Sequence, residues 1–192
     1  MTDSGAKIYV VISQTGTILS RLLKLFTRDE YNHSSVALDG DLKRMYSFGR
    51  MWAYYPFYGG FVTESPDFGT FKRFKNTRAV VLSFDVTYEN WHKIRKKINA
   101  MLESPKSYKY NYFGVYFAAV NIVHRSKNKY YCSEFVRDIL IEAGVDEAKA
   151  LPDIIKPVQF IDMSDSNKVY CGKLCDYEEF YNKEIAFMGE RM

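Results

Sequence analysis

The chain reads as an α+β domain in which a small antiparallel, barrel-like sheet packs against one amphipathic helix. Three observations predict this. Short segments of β-branched or alternating apolar residues occur at 8–13, 33–38, 43–48, 79–86 and 168–174, bounded by turn residues. Apolar residues recur at 135, 136, 139, 140 and 143, one face of a helix that starts at Cys132 and stops at Gly144. The 192 residues are 47% hydrophobic, enough for one domain with a real core, and no repeat or linker divides them. One domain over 1–192 is therefore expected.

The elements follow in order. Ile8 to Ser13 is a strand, and Gln14-Thr15-Gly16-Thr17 is a turn with a capping Thr. Residues 18–28 form a helix with Leu19, Leu22, Leu23 and Phe26 on one side and Arg21, Lys24 and Arg28 elsewhere. Such a basic amphipathic helix packs on its own domain or lies on a membrane surface. Residues 33–38 alternate as a strand, Asp39-Gly40-Asp41 is a turn, and 43–48 return as its partner. Residues 49–76 are rich in Gly, Pro and aromatics and read as a long loop with short strands. A strand over 79–86 is followed by a helix over 87–103, started by Thr87 and stopped by Ser104-Pro105. Residues 108–113 and 154–163 read as loops, and 168–174 as the last strand.

Composition narrows the function classes. The net charge of +4 comes from scattered lysines and arginines, so nucleic acid is not an expected partner. Three cysteines, 132, 171 and 175, do not make a disulfide framework. Cys171 and Cys175 stand as C-x-x-x-C with no second Cys/His pair nearby, so they read as structural or incidental, and neither metal nor cofactor is expected. The N-terminus lacks the apolar run of a signal peptide. The most apolar segment, 112–123, holds Asn121 and falls short of the roughly 20 residues that span a bilayer. A soluble cytoplasmic protein without stable membrane insertion is expected, with its thiols reduced. The aromatic content of 17% either lines a cleft or stiffens the fold.

Cys132 carries the chemistry. It sits in the first turn of its helix, on the side of the buried stripe. A helix N-terminus carries partial positive charge and unpaired N–H groups, and both favour thiolate, the nucleophilic form. Cysteine also serves as a small buried hydrophobe, so a partner base decides between the two readings. Three histidines are available. His92 lies among Lys93, Arg95, Lys96 and Lys97 and faces solvent; His124 ends an apolar stretch; His33 opens a strand and is the best base. His33, Ser35 and Ala37 share one strand face, and these small residues leave room for the Cys132 helix to pack there. A hairpin centred on Gly40 places Ser47 opposite His33. A one-residue slip substitutes Tyr46 or Phe48.

A histidine early on a strand, then a cysteine 99 residues later at a helix start, resembles the circularly permuted branch of the NlpC papain-like superfamily. That branch includes the YiiX-like amidase/peptidase-like proteins and, more distantly, the lecithin-retinol acyltransferases. The stretches that carry the resemblance are Tyr31-Asn32-His33-Ser34-Ser35-Val36-Ala37-Leu38, Tyr46-Ser47-Phe48-Gly49-Arg50, Tyr108-Lys109-Tyr110-Asn111-Tyr112 and Tyr131-Cys132-Ser133-Glu134-Phe135-Val136. The resemblance implies a permuted papain-like fold, with Cys132 as nucleophile and His33 as base. The family's third polar residue lies on the strand after the histidine, often as Glu, His or Gln; Ser47 holds that slot, and Glu64 is the substitute. The family's Tyr-Asp corresponds to Tyr110-Asn111, which makes Tyr110 a cleft residue. Tyr131, Glu64 and Gln14 complete the candidate substrate contacts.

These expectations define a cysteine amidase or peptidase that acts through an acyl-enzyme on a small peptide or amino-acid conjugate. The Cys132 backbone N–H meets the oxyanion, with Gln14 as a second donor or merely a turn residue. The alternatives are a thiol acyltransferase on a lipid-like substrate, or a non-catalytic binding module in which Ser47 marks decay of the third position.

Overall fold

The structure, a computed structural model, describes residues 5–14, 30–50, 59–112, 114, 122–123, 126–163 and 167–189. The basic helix expected over 18–28, the aromatic residues 52–58, most of the apolar run 112–123, and His124 lie outside the described residues.

Eight strands form one mostly antiparallel sheet. They are β1 (Ala6–Ser13), β2 (His33–Ala37), β3 (Met45–Arg50), β4 (Gly59–Glu64), β5 (Arg78–Val86), β6 (Lys109–Tyr110), β7 (Lys129–Tyr130) and β8 (Asn167–Lys173). Their order is β7-β6-β4-β3-β2-β1-β5-β8, with only β6 and β7 parallel. The sheet is open, since β7 and β8 are its two edges and do not pair with each other. It is therefore larger than the small barrel-like sheet expected. Four helices among the described residues cover it: α1 (Gly69–Arg73), α2 (Tyr88–Glu103), α3 (Cys132–Glu142) and α4 (Tyr177–Gly189).

Strand alternation divides the packing between two faces. Ile8, Val10 and Ile12 of β1, Val36 of β2, Phe48 of β3 and Val80, Leu82 and Phe84 of β5 join one core with α2 and α3. Ile94, Ile98 and Met101 of α2 and Phe135, Val136, Ile139 and Leu140 of α3 fill it. The opposite face, with Val11, Ala37, Met45 and Val81, packs against Phe71 of α1 and Tyr177 of α4. Burial on both faces explains why β1 and β5 are near-continuous apolar runs rather than strict alternations.

Local signals set the ends of the helices that matter here. Thr87 caps α2, its side chain accepting from Asn90 N at 3.2 Å. Gly144, just beyond α3, takes φ +84°, a conformation glycine adopts without a Cβ penalty. Asn90 Nδ2 donates to Ala143 O at 2.9 Å, so the start of α2 is tied to the end of α3. Helix α4 was not anticipated, although Tyr177, Phe180 and Tyr181 are spaced for one helix face. Tyr177 is fully buried and donates to Gly40 O at 2.7 Å, which anchors α4 on the β2–β3 turn. No helix among the described residues is long and apolar enough to cross a membrane.

Two expectations about β2 are corrected. Its pairing with β3 runs Val36↔Tyr46 and Ala37↔Met45, two residues away from a hairpin centred on Gly40. The turn is longer because Leu42 buries its side chain in the second core with φ +54°, while Asp41 Oδ1 accepts from Lys43 N at 3.0 Å. A two-residue shift keeps every side chain on its face but moves it to another row. Helix α3, moreover, packs on the Val36 face rather than on the face of Ser35 and Ala37. The apolar stripe of a helix needs apolar partners, and Val36 offers one where Ser35 does not.

Candidate active site

Cys132, His33 and Glu64 meet at the N-terminal end of β2. Cys132 is the first residue of α3 and is only 7% exposed. Tyr131 precedes it in extended conformation, and its backbone N–H donates to Glu134 Oε2 at 3.4 Å. A carboxylate in the first turn also suits the positive helix end. His33 opens β2, and Glu64 closes β4, two strands away in the sheet.

The row arithmetic shows how such distant strands share one site. On β3 and β4 the pairs are Met45↔Glu64, Ser47↔Val62 and Gly49↔Gly60. Extending the β2–β3 register puts Ser35 beside Ser47 and His33 beside Gly49. Paired residues share a face, so His33, Ser35, Ser47, Gly49 and Glu64 all project to the α1 side. The residues between the imidazole and the carboxylate are thus small, and the two groups meet above them. Both Glu64 carboxylate oxygens lie near His33 Nε2, Oε1 at 3.0 Å and Oε2 at 2.9 Å. A methyl group placed on Gly49 would stand 3.7 Å from His33 Cε1 and 3.9 Å from Glu64 Oε1. The room that Ser35 and its neighbours leave admits this carboxylate, not the Cys132 helix. Ser35 Oγ donates to Glu64 Oε2 at 2.6 Å and lies 3.3 Å from His33 Nε2.

The thiol reaches the same imidazole from the other side of the sheet. Regular β2–β3 pairing stops at Val36↔Tyr46, so the strands part beyond it. Ser34 lies in that gap, and its backbone groups need partners other than a strand. Ser47 Oγ donates to Ser34 O at 2.6 Å, and the Ser34 N–H donates to the Cys132 sulfur. Ser34 Oγ donates to Ser133 Oγ at 3.4 Å, and Ser133 Oγ is 3.8 Å from Cys132 Sγ. The His33 ring hydrogen-bonds both the thiol and Glu64. With Nε2 engaged by Glu64, Nδ1 is the ring nitrogen left for Cys132.

Electrostatics follow from this geometry. Burial draws the His33 imidazole toward its neutral form, but the Glu64 charge and hydrogen bonds to Cys132 and Glu64 outweigh it and push the pKa up to about 10. Burial raises the Cys132 thiol, yet the hydrogen bond and charge of His33, with donors from Ser34 and Ser133, bring it below its ordinary value of 9.0. At a pH between the lowered thiol value and the His33 value of about 10, the pair is thiolate and imidazolium.

The remaining candidates make other contacts. Ser47 is fully buried and serves Ser34 rather than the imidazole, a consequence of the shifted register. Tyr131 is buried, and its hydroxyl accepts from Ile155 N at 3.4 Å, which ties the 154–163 segment to the start of α3. Tyr110 is half-buried in β6 beside Tyr130 of β7, two residues before Cys132, with its ring 4.7 Å from that of Tyr112. Gln14 follows Ser13, the β1 partner of His33, and its backbone N–H donates to Arg78 O at 2.9 Å. His92 is exposed, as are the free thiols Cys171 and Cys175. Sequence reasoning missed Ser34 and Ser133, and missed Ser35 as a partner of Glu64; the shared parity of 33 and 35 was the available signal.

Compared with protein-family models, with curated proteins and with solved structures, the chain finds no match.

Proposed function

We propose that this protein is a cysteine hydrolase of the amidase or peptidase type, built on a permuted papain-like fold, with Cys132 as nucleophile, His33 as acid and base, and Glu64 as the carboxylate that orients His33. The observation that carries the reading is one imidazole held between a thiol and a carboxylate, with Glu64 Oε2 at 2.9 Å from Nε2. A nucleophile, a base and a third group that orients the base are the parts acyl transfer requires. The binding-module alternative draws on Ser47 in the third position; Glu64 against His33 supports the catalytic reading instead.

The chemistry runs in two halves. The Cys132 thiolate attacks the carbonyl carbon, forming a C–S bond while the carbonyl electron pair moves to oxygen. The Cys132 backbone N–H meets that oxyanion at the helix start. The Ser34 N–H, already aimed at the sulfur, is a better placed second donor than Gln14. The His33 imidazolium gives its proton to the leaving amine as the C–N bond breaks, which leaves a thioester and neutral imidazole. Imidazole then takes a proton from water, the hydroxide displaces the thiolate, and the ion pair is restored.

The test is intact-mass detection of an acyl adduct on Cys132, together with amine release, across a panel of N-acyl amino-acid amides, short peptides and phospholipid vesicles. An adduct and amine release from amides or peptides, absent in Cys132→Ser, is the expected result. Acyl transfer from phospholipid to an added amine assigns the site to lipid chemistry instead. No adduct from any class, in folded protein whose thiol still alkylates, contradicts a catalytic role.

A further inference from the structure

Ser47, which the sequence places opposite His33, is a fully buried hydroxyl whose hydrogen bond goes to the Ser34 carbonyl and not to the imidazole. Its surroundings give it a different task. β2 and β3 pair at Val36↔Tyr46 and then separate, so the Ser34 peptide faces a gap where a partner strand would ordinarily bond it. A buried carbonyl without a donor is costly, and Ser47 Oγ supplies that donor at 2.6 Å. Ser34 is then held from three directions: its carbonyl by Ser47, its N–H by the Cys132 sulfur, and its hydroxyl by Ser133 Oγ at 3.4 Å. Two of those partners are the first residues of α3.

We propose that Ser47 is a positioning residue: by fixing the Ser34 peptide in the gap between β2 and β3, it aims the Ser34 N–H at the Cys132 sulfur and holds the thiol beside His33. The Ser47 hydroxyl bonds the Ser34 carbonyl rather than the imidazole or the thiol, and its effect passes through Ser34. The gap itself is what lets a thiol on the α3 side of the sheet meet a histidine that projects to the α1 side. An ordinary β2–β3 ladder through Ser34 would use the amide that the sulfur now receives. This deepens the proposed function and rests on it, because a thiol needs aiming only if it reacts.

The experiment is the pH profile of iodoacetamide alkylation at Cys132, measured on the full chain in a Cys171→Ser/Cys175→Ser background. Wild type is compared with Ser47→Ala, Ser47→Thr and Ser47→Cys, each checked for folding by circular dichroism. Ser47→Ala is expected to move the thiolate midpoint up by about one pH unit, so that labelling below the midpoint slows about tenfold while the high-pH plateau is unchanged. Ser47→Thr keeps the hydroxyl and restores the wild-type midpoint; Ser47→Cys, a weak donor of similar size, falls between them. If Ser47→Ala does not fold, the order wild type, Thr, Cys carries the same test. An activated wild-type thiol with an unmoved midpoint in Ser47→Ala and Ser47→Cys overturns the role of Ser47 and leaves the hydrolase reading standing. A wild-type thiol that titrates in the ordinary range overturns both.

Discussion

The two ends of β2 obey different rules. At its C-terminal end Val36 and Ala37 pair with β1 on one side and β3 on the other, and each side chain enters an apolar core. At its N-terminal end His33, Ser34 and Ser35 keep the β1 pairing only, and side chains replace β3 as the hydrogen-bond partner. The first end is held by burial, the second by a few directed polar contacts. Where a ladder opens, backbone donors become available for chemistry, and the intact ladder beside it keeps them in place. Substitutions at the two ends are therefore expected to report on different quantities, reactivity at one and stability at the other.

The largest effects belong to the polar end. Cys132→Ala removes the proposed nucleophile, and turnover of any amide found in the substrate screen is expected to drop to background. His33→Ala lowers kcat/KM by about 10⁴-fold, the upper range for loss of a general acid–base, and returns the thiol to an ordinary titration. Glu64→Gln keeps the shape but not the charge, so kcat falls about 10²-fold or more, measured at constant folded fraction. Retention of wild-type kcat by Glu64→Gln would return the third position to an open question. Ser35→Ala removes the 2.6 Å donor to Glu64 and costs about tenfold in kcat, with little change in KM. At the apolar end, Ile139→Ala costs about 2–5 kcal/mol in denaturant unfolding yet leaves the alkylation rate of the folded protein unchanged. Coupled losses at Ile139 would erase the distinction between the two ends.

The pH dependence follows from the same pair. Thiolate–imidazolium is the resting form between the lowered thiol pKa and the His33 value of about 10. Under the proposed mechanism, activity is expected to rise as pH passes the first and to fall as it passes the second, since the leaving amine needs the imidazolium proton. Stability carries the same signature. A histidine raised from 6.5 to about 10 on folding contributes in full below pH 6.5, and that contribution fades as pH rises through about 10. Urea unfolding at pH 6, 8 and 10 is expected to show a smaller fade in Glu64→Gln, because less of the imidazolium is stabilised.

Two members of this site, Cys132 and His33, are legible in the sequence. Cys132 at a helix start and His33 at a strand start are local features, fixed by residue periodicity. From sequence Glu64 is only a substitute, because its place depends on the β3–β4 register, which the Gly- and aromatic-rich 49–76 region does not reveal. Ser47 was assigned to the wrong row because Leu42 lengthens the turn, a tertiary choice made by the second core. The open sheet also escaped local reading: β6 and β7 are two residues each and pair in parallel, a contact between distant segments. The face chosen by α3 was readable in principle, since Val36 and Leu38 suited its stripe better than Ser35 and Ala37 did.

The proposed chemistry depends most on the charge of His33, and NMR titration of its ring carbons and nitrogens measures that charge directly. The expected result is an imidazolium that persists through neutral pH and loses its proton near 10, with a lower midpoint in Glu64→Gln and in Cys132→Ser. A wild-type His33 that titrates near 6.5, unchanged in both variants, would contradict it.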